Sequence, residues 1–96
     1  MADRLKYELV SPERLERHGE AHMVVVPGTE GELGIMAGHA PLMTSVKAGE
    51  VAIYATENSQ PERIRITGGF AEVSETGLTI LAEKLESSTT DSSGQG

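Results

Sequence analysis

The run from Val24 to Leu42, VVVPGTEGELGIMAGHAPL, constrains the fold more than any other part of the chain. Three consecutive valines suit a pleated strand and crowd a helix. Pro27 and Pro41 bracket glycines at positions 28, 31, 34 and 38. Glycine at that density lets the backbone turn sharply, and proline removes a backbone donor, so no helix runs through the stretch. The pattern predicts a shaped loop on a β scaffold, with Glu30 and Glu32 at its acidic centre. A loop this particular points to a docking surface.

The flanking sequence supports the scaffold. Leu5, Tyr7 and Leu9 alternate with Lys6 and Glu8, which is strand periodicity. Ser11–Arg17 opens like a helix but meets Gly19 too soon, and reads as a turn plus a short polar strand. Glu20–Val26 reads as one strand. Further strands are predicted over Leu33–Met36, Leu42–Lys47, Val51–Thr56, Arg63–Thr67, Phe70–Ser74 and Leu78–Ala82, with Gly68-Gly69 as a bend or bulge. No helical period persists beyond a turn or two. The spacing predicts an all-β fold, an antiparallel β-sandwich or barrel of about eight or nine short strands. Residues 1–86 form that domain. Residues 87–96 (SSTTDSSGQG) hold no apolar side chain and are expected to be a disordered polar tail, since nothing offsets the entropy of ordering.

Composition removes several functions. Fifteen acidic residues against eight basic ones leave a net charge of −7. Nucleic acid is disfavoured, because phosphate backbones are held by clustered Lys and Arg. Direct insertion into an anionic lipid surface is disfavoured for the same reason. No apolar run approaches the roughly 20 residues of a membrane helix. The opening Met-Ala-Asp-Arg-Leu-Lys lacks the features of a signal or transit peptide, so a cytosolic chain is expected. The absence of cysteine excludes disulfides and thiolate metal sites.

The candidate chemistries fail one by one. The glycine run lacks the Lys-Ser/Thr pair of a phosphate loop, and Glu30 and Glu32 would repel phosphate. His18 and His22 on extended chain lie about 13 Å apart, too far to share a metal ion. A nucleophilic triad has no serine elbow and no well-placed aspartate, since the only aspartates are Asp3 and Asp91. A carboxylate pair at Glu30 and Glu32 remains, without the aromatic platforms of a sugar cleft. No catalytic, cofactor-binding or metal-binding residue is assigned. Attention falls on Glu30, Gly31 and Glu32, and on the corner His39, Ala40, Pro41, Leu42 and Met43. His39 is either an interface residue or a loop residue whose ring bonds a nearby carbonyl.

Three segments together carry a family resemblance: Pro27–Ile35, Gly38–Leu42, and Gly68-Gly69-Phe70-Ala71-Glu72-Val73. Tyr7–Glu13 and Gly77–Glu83 fit the same order. Over about residues 4 to 86 the chain resembles the ε subunit of bacterial-type F-type ATP synthase. The resemblance implies a β-sandwich of about ten strands, seated in the central stalk against the γ subunit and the c-ring. It implies a non-catalytic rotor part that passes proton-driven rotation to ATP synthesis, peripheral to the cytoplasmic side of the bacterial inner membrane. It implies that the loop Glu30, Gly31 and Glu32 faces the c-ring, Glu32 first, and that the corner from His39 to Met43 lies towards γ. The family usually continues into a C-terminal helical hairpin, which in some bacteria binds ATP and inhibits hydrolysis. Here Lys84-Leu85-Glu86 leads into the Ser/Thr/Gly tail, so a short form without that regulation is expected. A free-standing β-sandwich ligand-binding module is the alternative, and a carboxylate enzyme a more remote one.

Overall fold

The computed structural model describes residues 4–83 and the backbone of residues 85–87. Among them are ten strands and no helix: β1 Leu5–Val10, β2 Leu15–Ala21, β3 Met23–Gly28, β4 Gly31–Ile35, β5 Leu42–Val46, β6 Gly49–Tyr54, β7 Glu62–Ile66, β8 Gly69–Ser74, β9 Gly77–Ala82 and β10 Leu85–Ser87. The polar tail expected from residue 87 lies, beyond Ser87, outside the described residues.

The strands form one sheet folded into two layers. The first layer runs β10-β7-β6-β3-β4 and the second runs β5-β8-β9-β1-β2. On one side they join through the register pair Gly28↔Val46. On the other, the Arg17 guanidinium of β2 meets the Glu62 carboxylate of β7 in an ion pair between the layers. The inward rows of both layers merge into a single aliphatic core. Val24, Val26, Ile35, Val51 and Ile66 come from the first layer, and Leu9, Leu78 and Ile80 from the second, all at 2 % exposure or less. Aliphatic packing across two faces, each alternating in and out, is what the strand periodicity demanded.

Two expectations change. The sandwich is not wholly antiparallel: β1 lies parallel to β9, with Tyr7 opposite Leu78 and Leu9 opposite Ile80. The hairpin partner β2 covers one edge of β1, and β9 takes the other. Secondly, Glu20–Val26 is not one strand. Ala21 and Val24 are both fully buried, and a separation of three cannot keep two side chains on one face of a single strand. The chain bends at His22, whose backbone N–H donates to the Tyr54 carbonyl at 2.8 Å, and passes from the second layer to the first. The polar segment before the bend is a full seven-residue strand, entered by a turn in which Ser11 and Arg14 exchange backbone hydrogen bonds of 2.9 and 3.3 Å.

Gly69 fixes the start of β8. Its φ is 147°, and a Cβ there would stand 1.9 Å from the Leu81 carbonyl oxygen. Only glycine tolerates both, so β8 and β9 approach at this point more closely than any side chain permits.

Candidate docking surface

The glycine-rich stretch divides into two features. Its first half is a tight β3–β4 hairpin. Gly28 pairs with Gly31, Pro27 with Glu32, and only Thr29 and Glu30 form the turn. Gly31 and Glu32 are therefore strand residues, which corrects their assignment to a loop. Five register pairs with β3 hold them in the ladder. Glu30 and Glu32 are both exposed. The hairpin is tied to the end of β5: the Thr29 N–H donates to the Ser45 carbonyl at 3.1 Å, and the Lys47 N–H to the Pro27 carbonyl at 2.8 Å.

The second half is the connection from β4 in the first layer to β5 in the second. His39 is half-buried there. Its backbone N–H donates to the Met36 carbonyl at 3.1 Å, and its Nδ1 to the Ala40 carbonyl at 2.8 Å. These bonds brace the corner from within. Ala40 and Pro41 are exposed, Leu42 packs partly against the core, and Met43 points outward at 64 % exposure. The hairpin and the corner thus sit at opposite ends of the sandwich, separated by β4, about 15 Å at the strand rise. The structure does not bring the two candidate groups together.

A feature that sequence reasoning missed lies on the outside of the second layer. Ala71 and Val73 face inward on β8, as do Leu78, Ile80 and Ala82 on β9 and Leu5, Tyr7 and Leu9 on β1. Alternation then turns Phe70, Leu81 and Val10 outward. Register aligns them into one row across four strands: Phe70 opposite Leu81, Leu81 opposite Val10, Val10 opposite Leu15. Phe70, Leu81 and Leu15 are 53 %, 49 % and 48 % exposed. Beside this row runs a second, Met43-Glu72-Thr79-Glu8-His18. The apolar row lies at the hairpin end, since Gly69, next to Phe70, pairs with Val46, and Val46 pairs with Gly28. The signal was present in the sequence: Phe70 and Leu81 have the wrong parity for the core.

Two titratable groups of the second layer are shifted by their surroundings. The Ser11 hydroxyl donates to the Glu16 carboxylate at 2.8 Å and, with Arg14 close by, holds that carboxyl below its usual value of 4.5. Burial pushes the Tyr7 hydroxyl above 10.0, and Glu62 adds to this while Arg17 opposes it. Neither group faces an open cleft. Among the described residues no group of three or more His, Asp or Glu is arranged to hold a metal ion. A cleft of about 500 Å³ opens at the corner end, lined by Arg4, Lys6, Glu20, His39 and Glu75 among others. Its size suits a small molecule, but its walls are charged where such sites are mostly apolar. Arg4 donates there to the Ala55 carbonyl at 2.9 Å.

Comparison with known proteins decides the family. The sequence profile of the ATP synthase Delta/Epsilon chain β-sandwich domain matches residues 4–88. The chain belongs to this family. It is 52 % identical over 83 residues to the ATP synthase epsilon chain of Parvibaculum lavamentivorans, covering 86 % of this chain and 62 % of that one. With the epsilon chain of Rhodospirillum centenum it shares 46 % over 85 residues, covering 88 % and 58 %. The chain thus spans about three-fifths of the length of these relatives. The fold matches a chain of the Euglena gracilis mitochondrial ATP synthase, with a TM-score of 0.78 at 22 % identity, covering 88 % of this chain and 53 % of that one. It also matches a chain of the Tetrahymena thermophila mitochondrial central stalk and c-ring structure, with a TM-score of 0.75 at 15 % identity and coverage of 97 % and 73 %. At those identities the structural likeness speaks for the fold alone.

Proposed function

We propose that this chain is a non-catalytic rotor part of an F-type ATP synthase, the ε sandwich that joins the γ subunit to the c-ring. One observation carries the reading: the exposed apolar row of Leu15, Val10, Leu81 and Phe70 on one outer face, with Met43 alongside. Contiguous exposed apolar surface marks a protein interface, and the family to which the chain belongs has subunits as members. The apolar face docks on γ. The β3–β4 hairpin at the same end presents Glu30 and Glu32 to polar loops of the c-ring. Of the corner residues, Met43 alone belongs to the γ-docking face; His39 holds the corner together. The chain's part is mechanical: a two-layer sandwich with one shared core carries load from hairpin to apolar face, so proton-driven rotation reaches γ without slippage. Its place is on the cytoplasmic side of the bacterial inner membrane, peripheral to the bilayer.

The test is recovery of the assembled enzyme from membranes carrying a tagged chain. Wild type is expected to co-purify with γ and the c-ring. The double variant Phe70→Ser/Leu81→Ser, altered only on the outer face, is expected to be lost from the complex while remaining folded. Recovery of the wild-type chain alone, from membranes whose γ and c-ring are intact, would overturn the proposal.

A further inference from the structure

The N-terminal hairpin is a separable unit. β1 and β2 pair with each other from Leu5↔Ala21 to Val10↔Leu15. Among the described residues, they pair with the rest of the sheet through β9 alone, in four parallel register pairs from Tyr7↔Leu78 to Val10↔Leu81. Towards the core the hairpin contributes Leu5, Tyr7, Leu9 and Ala21, and across the layers the ion pair of Arg17 with Glu62. None of these contacts requires the hairpin and the body of the sandwich to belong to the same chain.

The connection between them is one residue long. β2 ends at Ala21 and β3 begins at Met23, so His22 alone carries the chain from layer to layer. The local sequence does not encode that bend. No glycine or proline stands between Glu20 and Val26, and three successive valines favour a strand that continues. The bend is imposed from outside, by the bond from the His22 N–H to the Tyr54 carbonyl and by burial of Ala21 in one layer and Val24 in the other. A hinge with almost no length, in a segment whose own preference is extended, favours exchange of the hinged element between copies of a chain.

We infer that this chain forms a domain-swapped dimer with a second copy of itself. The β1–β2 hairpin of each copy docks beside β9 of the other, and Leu15–Gly28 runs as one strand. Straightening at His22 gives up one backbone hydrogen bond. The β1–β9 ladder, the core packing and the Arg17–Glu62 ion pair are all regained in the partner. Closed and swapped forms then share most of their contacts, so chain concentration decides between them. The exchange is independent of docking on γ.

The test starts from the whole chain unfolded in urea. It is refolded at about 1 mM, the effective concentration of a short linker, and again at much lower concentration. Size exclusion with light scattering is expected to show dimer in the concentrated sample only. On later dilution that dimer should revert no faster than the chain unfolds, because the hairpin must leave the core. Arg17→Glu and Glu62→Arg chains, one of them tagged, are then refolded together. Each variant alone sets like charges against each other, whereas both ion pairs are complementary in a swapped heterodimer. The heterodimer should exceed its statistical share by about tenfold. Two glycines inserted between Ala21 and His22 give the turn room and should lower the dimer yield by at least about tenfold. Thermal unfolding checks that the variants fold, and should a charge variant fail, the reversion rate of the wild-type dimer decides. Monomer alone at both concentrations overturns the inference. A dimer that separates on dilution without unfolding, or heterodimers in statistical proportion, mark side-by-side association and overturn it too. So does an insertion variant that dimerises as fully as wild type.

Discussion

Substituting alanine for Gly69 separates backbone geometry from ordinary glycine entropy. Gly69 sits at φ 147°, and its absent Cβ would lie 1.9 Å from the Leu81 carbonyl oxygen and 2.9 Å from the carbonyl carbon. Backbone atoms cannot rotate away as a side chain can. To reach even the tightest tolerable separation, β8 and β9 must part by more than an ångström at the pairs Gly69↔Ala82 and Phe70↔Leu81. Strain in this backbone region costs roughly 1–3 kcal/mol, and one or two weakened ladder hydrogen bonds cost about 1 kcal/mol each. The sum is about 2–5 kcal/mol, a sizeable part of the roughly 5–15 kcal/mol that holds a domain folded. A chain of this size should then melt at least about 8 °C lower. Gly38→Ala is the comparison. Gly38 also has a positive φ, 88°, but nothing lies within 4 Å of the position its Cβ would occupy. Strain alone acts there, about 1–2 kcal/mol. Urea unfolding of the two variants measures the difference directly. Equal losses, or a loss below about 1 kcal/mol for Gly69→Ala, would refute the claim that strand approach, and not chain entropy, selects this glycine.

Three further outcomes are expected. Glu32→Arg, on the exposed side of β4 opposite Pro27, should leave thermal stability within about 0.5 kcal/mol of wild type while weakening proton-driven ATP synthesis in membrane vesicles; unaltered synthesis removes Glu32 from the coupling contact. Leu78→Ala, at 2 % exposure in the core, should cost about 3–5 kcal/mol by chemical denaturation. Glu16 and Tyr7 give opposite pH signatures. The carboxyl of Glu16 is held below 4.5 by the Ser11 hydroxyl, so its contribution is present above that pH and is lost as pH falls through the lowered value; Glu16→Gln should flatten the acid limb of the stability curve. Tyr7 is held above 10.0 by burial, so its contribution is complete below pH 10.0 and is lost as pH rises through the raised value; Tyr7→Phe should flatten the alkaline limb.

Much of the fold was legible because alternation is a local signal. Leu5-Tyr7-Leu9 and Ile64-Ile66 announced their strands and inward faces, and all are buried. Pairing is not local. Nothing in the residues of β1 says that it lies parallel to β9, because that choice depends on how the second layer closes. The bend at His22 was hidden inside an apolar run, since valines mark a strand without marking where it changes layer. β2 was underestimated because its sequence, LERHGEA, is polar; it is an edge strand whose outward side chains meet solvent and whose inward Arg17 pairs with Glu62 across the layers. The candidate site was half legible. The acidic residues stood out by their glycine neighbours, yet their hairpin geometry depends on the Pro27↔Glu32 register. The apolar row depends on register across four strands, so it appeared only once the strands were paired.

The parallel contact between β1 and β9 carries a consequence for biosynthesis. Tyr7 emerges from the ribosome early and waits for Leu78 before its strand has two neighbours. The N-terminal hairpin can form first, but the second layer cannot be sealed until almost the entire described chain has been made. Topologies dominated by such distant pairings fold in about milliseconds to seconds. During that interval the edge of β1 that β9 will occupy is bare, and a nascent subunit in this state is open to mispairing with its neighbours on the same polysome.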